Sequence, residues 1–282
     1  MKLPFEVPLN NKVAVVTGGS GVLGSVFSKA LAQAGATVVI LARDKEKINS
    51  TIEQIEQEGG KVLGYSVDVL NKNELISVHE EILKKVGPCS ILINGAGGNN
   101  SDATTKQEFF QSKNKQDNEQ TFFDLDHERI EDVFNLNFKG ALLPTQVFAK
   151  DMIDQDSASI INISSMNAYQ PLTKIPAYSG AKAAISNFTQ WLAVYFSKTN
   201  IRVNAIAPGF FLTEQNKNLM FDKNGDYSSR ANKIISQTPV ERFGEPEELI
   251  GTLLWLVDHN SSGFINGIVV PVDGGFSAYS GV

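Results

Sequence analysis

The chain has 282 residues, 42% of them hydrophobic, enough for one sizeable core or two small ones. A net charge of −6 and a pI near 5.2 argue against a nucleic-acid-binding surface. A lone cysteine, Cys89, excludes an intrachain disulfide; with no signal core in residues 1–12 and no apolar run of membrane-spanning length, the expectation is no membrane and a cytoplasmic location.

In chain order, Lys12 to Thr17 is a short β-branched strand that runs into glycines. A helical pattern covers Val22 to Ala34 and stops at Gly35, and a second strand covers Thr37 to Ala42. A charged amphipathic helix from Glu46 to Glu58 closes on Gly59-Gly60. Lys61 to Val67 is a third strand, Lys72 to Val86 a helix, and Ser90 to Asn94 a fourth strand. After a polar stretch come a long helix from Ile130 to Met152, a strand from Ser159 to Ser164 and a helix from Pro176 to Lys198. Arg202 to Ala207 is the sixth strand, Pro246 to Val257 a helix, and Ile268 to Val272 the last strand. Continuously apolar strands alternating with helices over short connections imply a parallel sheet covered on both faces. No linker or repeat divides the chain. The expectation is a single α/β domain over 1–282, a doubly wound Rossmann-type fold with seven parallel strands.

Two constellations carry chemistry. In Gly18-Gly19-Ser20-Gly21-Val22-Leu23-Gly24, directly after the first strand, Gly19, Gly21 and Gly24 form G-x-G-x-x-G at a helix start. Such glycines permit a tight turn and close approach of backbone to a pyrophosphate, whose charge the helix N-terminus favours. At the end of strand two, Ala42 occupies the place where a ribose-binding carboxylate is expected, followed by Arg43 and Asp44. Arg43 suits a 2′-phosphate, so NADP(H) is favoured slightly over NAD(H); the alternative is Arg43 as a surface residue and Asp44 on the ribose. Asp68, in Val67-Asp68-Val69, is placed to accept from the adenine amino group, to cap the next helix, or both. Small residues in Asn94-Gly95-Ala96-Gly97 leave room for the adenosine side.

Tyr178 and Lys182 are four apart, on one face of the predicted helix. An ammonium beside a phenol favours phenolate, which would pull Tyr178 below its usual value of about 10 and make it an acid/base. Ser165, thirteen residues upstream at the end of a buried strand, is placed to hydrogen-bond a substrate carbonyl. His79, His127 and His259 share no metal-ligand spacing with one another or with Cys89, so all three read as surface residues and no metal site is expected.

Over nearly its whole length the chain resembles the classical short-chain dehydrogenase/reductase family. The resemblance rests on Thr17 to Gly24, Asp68-Val69, Asn94 to Gly97, Asn137, Ser165, Tyr178-x-x-x-Lys182, and Arg202-Val203-Asn204 leading to Pro208-Gly209. It implies a catalytic tetrad of Asn137, Ser165, Tyr178 and Lys182. Tyr is then the proton donor or acceptor and Ser orients the carbonyl. Lys binds the nicotinamide ribose and lowers the Tyr pKa, and Asn holds a water linking Lys to solvent. Cofactor contacts are implied for Gly18, Gly19, Ser20, Gly21, Leu23, Gly24, Arg43, Asp68, Val69, Asn94, Ala96, Gly97, Tyr178 and Lys182, with Pro208, Gly209, Phe211 and Thr213 bordering the nicotinamide. Two departures stand out. The family's middle glycine would fall at Val22 and here falls at Gly21, and Ile93 precedes Asn94 where another Asn is usual.

Within that family the chain is similar to a sugar-acid branch, the D-mannonate oxidoreductases or fructuronate reductases. The segments behind this are Ala96 to Asn100, Leu142 to Phe148, Asn162 to Ala168, Phe210 to Asn216 and the tail from Gly274 to Val282. The function implied is reversible reduction of a sugar-acid ketone to a secondary alcohol, D-fructuronate to D-mannonate. The alternatives are a reductase of a 3-oxoacyl thioester or small ketone, and a non-catalytic dinucleotide sensor. A polar segment at about 99–128 reads either as a lid or as a disordered surface loop, and 210–237 as a substrate loop. Asn99, Asn100, Asn167 and Lys174 are candidate substrate contacts; for Lys174 and Arg230 solvated surface is the other reading. Helices apolar nearly all round, carrying Leu142, Phe148, Phe188, Trp191 and Tyr195, are expected to be covered by a second subunit in a homotetramer or homodimer.

Overall fold

The structure, a computed structural model, describes residues 7–111, 120–213 and 216–281. Part of the expected lid (112–119) and two residues of the expected substrate loop (214 and 215) lie outside the described residues. Seven parallel strands form one sheet: β1 (Val13–Thr17), β2 (Thr37–Ala42), β3 (Lys61–Ser66), β4 (Ile91–Asn94), β5 (Ala158–Ile163), β6 (Ile201–Pro208) and β7 (Val269–Val272). Their order across the sheet is β3-β2-β1-β4-β5-β6-β7. Chain direction across the sheet reverses between β1 and β4, and the crevice beyond their C-terminal ends is where such sheets bind ligands.

Alternation along each strand builds two cores. Ala14 and Val16 of β1 face one layer with Phe27, Leu31 and Ile40, packed under α1 (Val22–Gln33) and a later helix carrying Leu253 and Leu254. Val13 and Val15 face the other layer with Leu41, Leu92, Phe148, Met152 and Leu192. Side chains buried on both faces explain why the strands read as continuous apolar runs. The next helices are capped by their own sequence: Asp44 accepts from the amides of Glu46 and Lys47 at the start of α2 (Lys45–Gln57), and Asn71 does the same at α3 (Lys72–Val86).

Several local features depart from the sequence reading. The helix expected over Ile130 to Met152 starts earlier and is not uniform. It comprises α4 (His127–Phe134), a π-turn over Asn135–Lys139, and α5 (Gly140–Met152) with Pro144 inside it. The helix expected to reach Lys198 is α6 (Pro176–Tyr195). The expected substrate loop contains α7 (Lys217–Met220) and α8 (Ser229–Ser236), which bury Met220, Ala231 and Ile234 with Phe243. Two short helices, α9 (Ile250–Val257) and α10 (His259–Ser262), lead to β7. His79 is not a surface residue: its Nε2 lies 2.5 Å from Asp151 Oδ2 and its ring packs edge-on against Phe148, pinning α3 to α5. Cys89 is buried, and burial pushes its thiol up to about 12, so it is an inert packing residue. Among the described residues no helix is long and apolar enough to cross a membrane, and no three His, Cys, Asp or Glu side chains group as metal ligands.

Candidate active site

At the switch point lies a cleft of about 510 Å³. Its floor is the turn between β1 and α1. Gly18 has φ +66°, a left-handed conformation that favours glycine; its N–H donates to Leu41 O and its carbonyl accepts from Gly21 N–H, both at about 2.7–2.8 Å. Gly21 is the N-cap of α1, so the first amides of the helix have no carbonyl partner within it. Val22, Leu23 and Gly24 line the cleft there, and an anion such as a pyrophosphate would satisfy those donors. Gly24 seats the helix on the turn: a Cβ at this position would lie 2.0 Å from Gly18 O. On the opposite wall, Thr17 Oγ1 accepts from the amides of Gly95 and Ala96 and ties the ends of β1 and β4 together. A Cβ on Gly97 would lie 2.7 Å from Asn137 Oδ1. Both walls therefore stay low where a dinucleotide would lie.

One end of the cleft is lined by Ala42, Arg43, Asp44, Lys47, Asp68 and Val69. The Asp44 carboxyl is held below the usual carboxylate range, first by the backbone amide of Lys47. Asp68 Oδ1 accepts from Leu70 N–H at 2.9 Å, so this carboxylate shapes its own turn while facing the cleft. Lys47 is a cleft residue that the sequence reading missed. Its place at i+4 from Arg43 in the first turn of a helix was the available signal.

The other end holds Ser165, Tyr178 and Lys182, with Leu136, Ser164, Pro208 and Gly209. Pro176 opens α6 at its first turn, and two residues later Tyr178 and Lys182 stand on one face, the ammonium 5.5 Å from the ring centroid. Lys182 is 5% exposed and, among the described residues, donates to a single acceptor, Ile163 O at 2.8 Å. An ammonium has three donors, so a buried one with one protein partner fits hydroxyl groups delivered by a ligand. Burial pushes Lys182 down to about 8. The expectation that Lys182 lowers Tyr178 differs from what is found. Burial pushes the phenol up, and the hydrogen bond with Ser165 only partly opposes it. Tyr178 is therefore a neutral phenol at pH 7, ready to donate.

Asn137 sits behind Gly97 in the π-turn, 2% exposed. Its Nδ2 donates to Gly98 O and Val133 O, and its Oδ1 accepts from Gly98 N–H. It thus fixes the wall beside Lys182 rather than lining the cleft itself.

The burial of Lys182 has a measurable consequence. Between about pH 8 and its unfolded value of about 10.4 the folded chain carries fewer protons on Lys182 than the unfolded chain. Stability gains from this residue across that window and is unaffected below it, with a full range of about 3 kcal/mol. Urea midpoints of the ligand-free protein between pH 7 and 9.5 should therefore rise relative to those of Lys182→Met. A constant difference between the two would show Lys182 to be solvated.

Other sequence candidates lie elsewhere. Gly19 turns into the core, where a Cβ would lie 2.8 Å from Val16 O. Asn94 is buried and donates to Thr145 and Asn162, joining β4 to β5 and α5. Phe211 packs on Gly244 beside β7, and the Thr213 amide bonds Asn216 Oδ1. Asn99 donates to Thr104 Oγ1, and Asn100 caps a short turn over Ser101–Ala103. Asn167 accepts from Leu172 N–H and donates its own N–H to Ser165 Oγ, which anchors the loop carrying the serine. Lys174 lies four residues before Tyr178 with φ +74°.

Residues 12–224 match the sequence profile of the short chain dehydrogenases, the segment that holds both the glycine turn and the Tyr178/Lys182 helix. The chain belongs to the short-chain dehydrogenase family. An oxidoreductase of Haemophilus influenzae is 58% identical to this dehydrogenase over 282 residues, all of this chain and 99% of the relative. A 2-dehydro-3-deoxy-D-gluconate 5-dehydrogenase of Formosa agariphila is 32% identical, with 98% of this chain and 96% of the relative covered. A solved structure from Haemophilus influenza, provisionally named a D-mannonate oxidoreductase and holding NAD, superposes with a TM-score of 0.94 at 57% identity, covering 98% of each chain. This short-chain dehydrogenase is thus an oxidoreductase on a dinucleotide-binding fold, with relatives named for sugar acids.

Proposed function

We propose that the protein reduces the ketone of a sugar acid to a secondary alcohol, reversibly, with D-fructuronate and D-mannonate as the pair. The observation that carries the reading is the meeting of Tyr178, Ser165 and Lys182 at one end of a cleft whose floor is a glycine turn at a helix start, suited to a pyrophosphate. Sugar-acid names among the relatives support the substrate class. When bound, the nicotinamide supplies the hydride for the carbonyl carbon. Ser165 donates a hydrogen bond to the carbonyl oxygen and holds it beside Tyr178. Tyr178 gives its phenolic proton to that oxygen as the C–O bond becomes single. Lys182, an ammonium below about pH 8, stabilises the phenolate left behind and orients the ribose hydroxyls. In the reverse direction the phenolate takes the alcohol proton, so oxidation should need higher pH than reduction.

Arg43 and Lys47 beside Ala42 support NADP(H) as the preferred cofactor, since both can meet a 2′-phosphate. NAD in the 57% identical structure favours the second reading, NAD(H) with Asp44 on the ribose. A second copy of the chain on α5 and α6 is part of this reading. The groove there is lined by Leu142, Ile153, Phe188, Trp191 and Tyr195, with Trp191 55% and Tyr195 66% exposed. The test is a panel of hexuronates, aldonates, neutral ketoses and 3-oxoacyl thioesters, assayed with NADPH and NADH by nicotinamide absorbance. Fructuronate should lead, and Arg43→Ala should cost NADPH about ten- to a hundredfold in affinity. A lead for thioesters or neutral ketones would overturn the substrate reading; a wild-type preference for NADH would overturn the cofactor reading alone.

A further inference from the structure

Residues 98–108 run from the wall beside Lys182 to α8. Gly98 is held at both N–H and C=O by Asn137. Ala103 is fully buried in a small cluster with Val133, Ala177 and Tyr178. Thr105 N–H then donates to Lys174 O at 2.9 Å, which joins this segment to the loop before Tyr178. Three residues later Glu108 Oε2 meets Lys233 Nζ of α8 at 2.5 Å. The segment thus ties the loop before Tyr178 to α8, with Thr105 bonded to the Lys174 backbone and Glu108 paired with Lys233.

The arrangement is unbalanced. The Lys174 charge acts on Glu108 together with that of Lys233, while Lys174 has no ion pair of its own among the described residues. Lys174 is also held at φ +74°, a conformation uncommon for a residue with a side chain. Glu108 therefore stands between two cations, of which it pairs with one, in a rim of charge beside the loop that leads to Tyr178. The Glu108–Lys233 pair is open to water, with side chains 29% and 64% exposed. Pairs of that kind contribute little to stability, so another carboxylate can replace Glu108 at small cost.

We propose that Lys174 and Lys233 form the subsite for the substrate's carboxylate, and that Glu108 is an internal carboxylate that occupies it until an acid substrate displaces it. This rests on the sugar-acid reading of the site and names the residues that enforce it. A ligand with a carboxylate several carbons from its ketone can place the ketone at Tyr178 and the carboxylate at this rim. A neutral ketose presents nothing to exchange for Glu108, so the rim selects for charge.

The experiment measures kcat/KM for fructuronate and for fructose in wild type, Glu108→Gln, Lys174→Gln and Lys233→Gln, with cofactor affinity checked in each to show an intact fold. Removing the competitor should raise the fructuronate-to-fructose ratio about two- to fivefold in Glu108→Gln. Removing a cation should lower that ratio about tenfold in either lysine variant. A ratio that falls in Glu108→Gln, or that is unmoved by the lysine changes in an enzyme preferring fructuronate, overturns the subsite and leaves the sugar-acid reading standing. A wild-type enzyme with no preference for the acid overturns both.

Discussion

Tyr178→Phe should bind cofactor as the wild type does and turn over about 10²–10⁴-fold more slowly, because proton transfer is what the missing hydroxyl supplies. The variant should keep its fold. The ring stays packed with Ala103, Val133 and Ala177, and the one polar partner lost, Ser165, keeps its bond from Asn167 N–H. Stopped-flow hydride transfer with saturating substrate isolates the step. A rate within tenfold of wild type would mean that another group or a water delivers the proton and that Tyr178 only packs. The direction of the Tyr178 shift adds a second reading of the same experiment. A phenol kept neutral by burial is a donor throughout the neutral range, so the wild-type reduction rate should be nearly flat from pH 6 to 7 and fall as Lys182 loses its proton near pH 8.

Gly24→Ala should lose cofactor affinity by well over tenfold and lower the melting temperature. Its Cβ would lie 2.0 Å from Gly18 O and 2.8 Å from Gly18 C, both backbone atoms with no rotamer to move. Either α1 withdraws from the turn or the turn gives up its left-handed residue. Overpacking of this kind costs about 1–3 kcal/mol, and the amides aimed at the pyrophosphate move with the helix. Gly98→Ala is the control: its Cβ would meet only Leu136 at 3.8 Å, an ordinary contact. Cofactor titration by fluorescence compares the two. Equal affinities would show that the close approach of α1 to the turn is not what organises the cleft.

What the sequence made legible was local. The glycine turn, the Tyr178/Lys182 face and the strand-helix alternation each depend on a few neighbours in the chain, and the sheet follows from them. What was not legible depended on packing. Lys47 faces the cleft only because α2 lies against β3, and Leu136 only because a π-turn rotates it there. His79 reads as a solvent residue until α5 brings Asp151 to it. The reversal of the expected Tyr178 shift has the same origin: spacing gives the neighbouring charge, but not the desolvation that outweighs it. The polar stretch after β4 hid an ordered path, because its bonds run to Lys174 and Lys233, far along the chain.

The π-turn at Asn135–Lys139 sets stability against accuracy. Gly140 N–H reaches back five residues to Asn135 O, so this turn holds one residue more than an α-turn. Deleting one residue between 135 and 139 would close the wide turn into an α-turn, while Pro144 would still leave one carbonyl of α5 without its N–H donor. The flanking helices would keep their register, because the wide turn is what absorbs the extra residue, but the side chains within 135–139 would swing to new directions. The Asn137 amide would then leave Gly98, and the wall beside Lys182 would lose its anchor. Directed evolution scored on thermal survival alone would read only the net of the tighter turn and the lost amide bonds, so it would not by itself preserve where that amide aims.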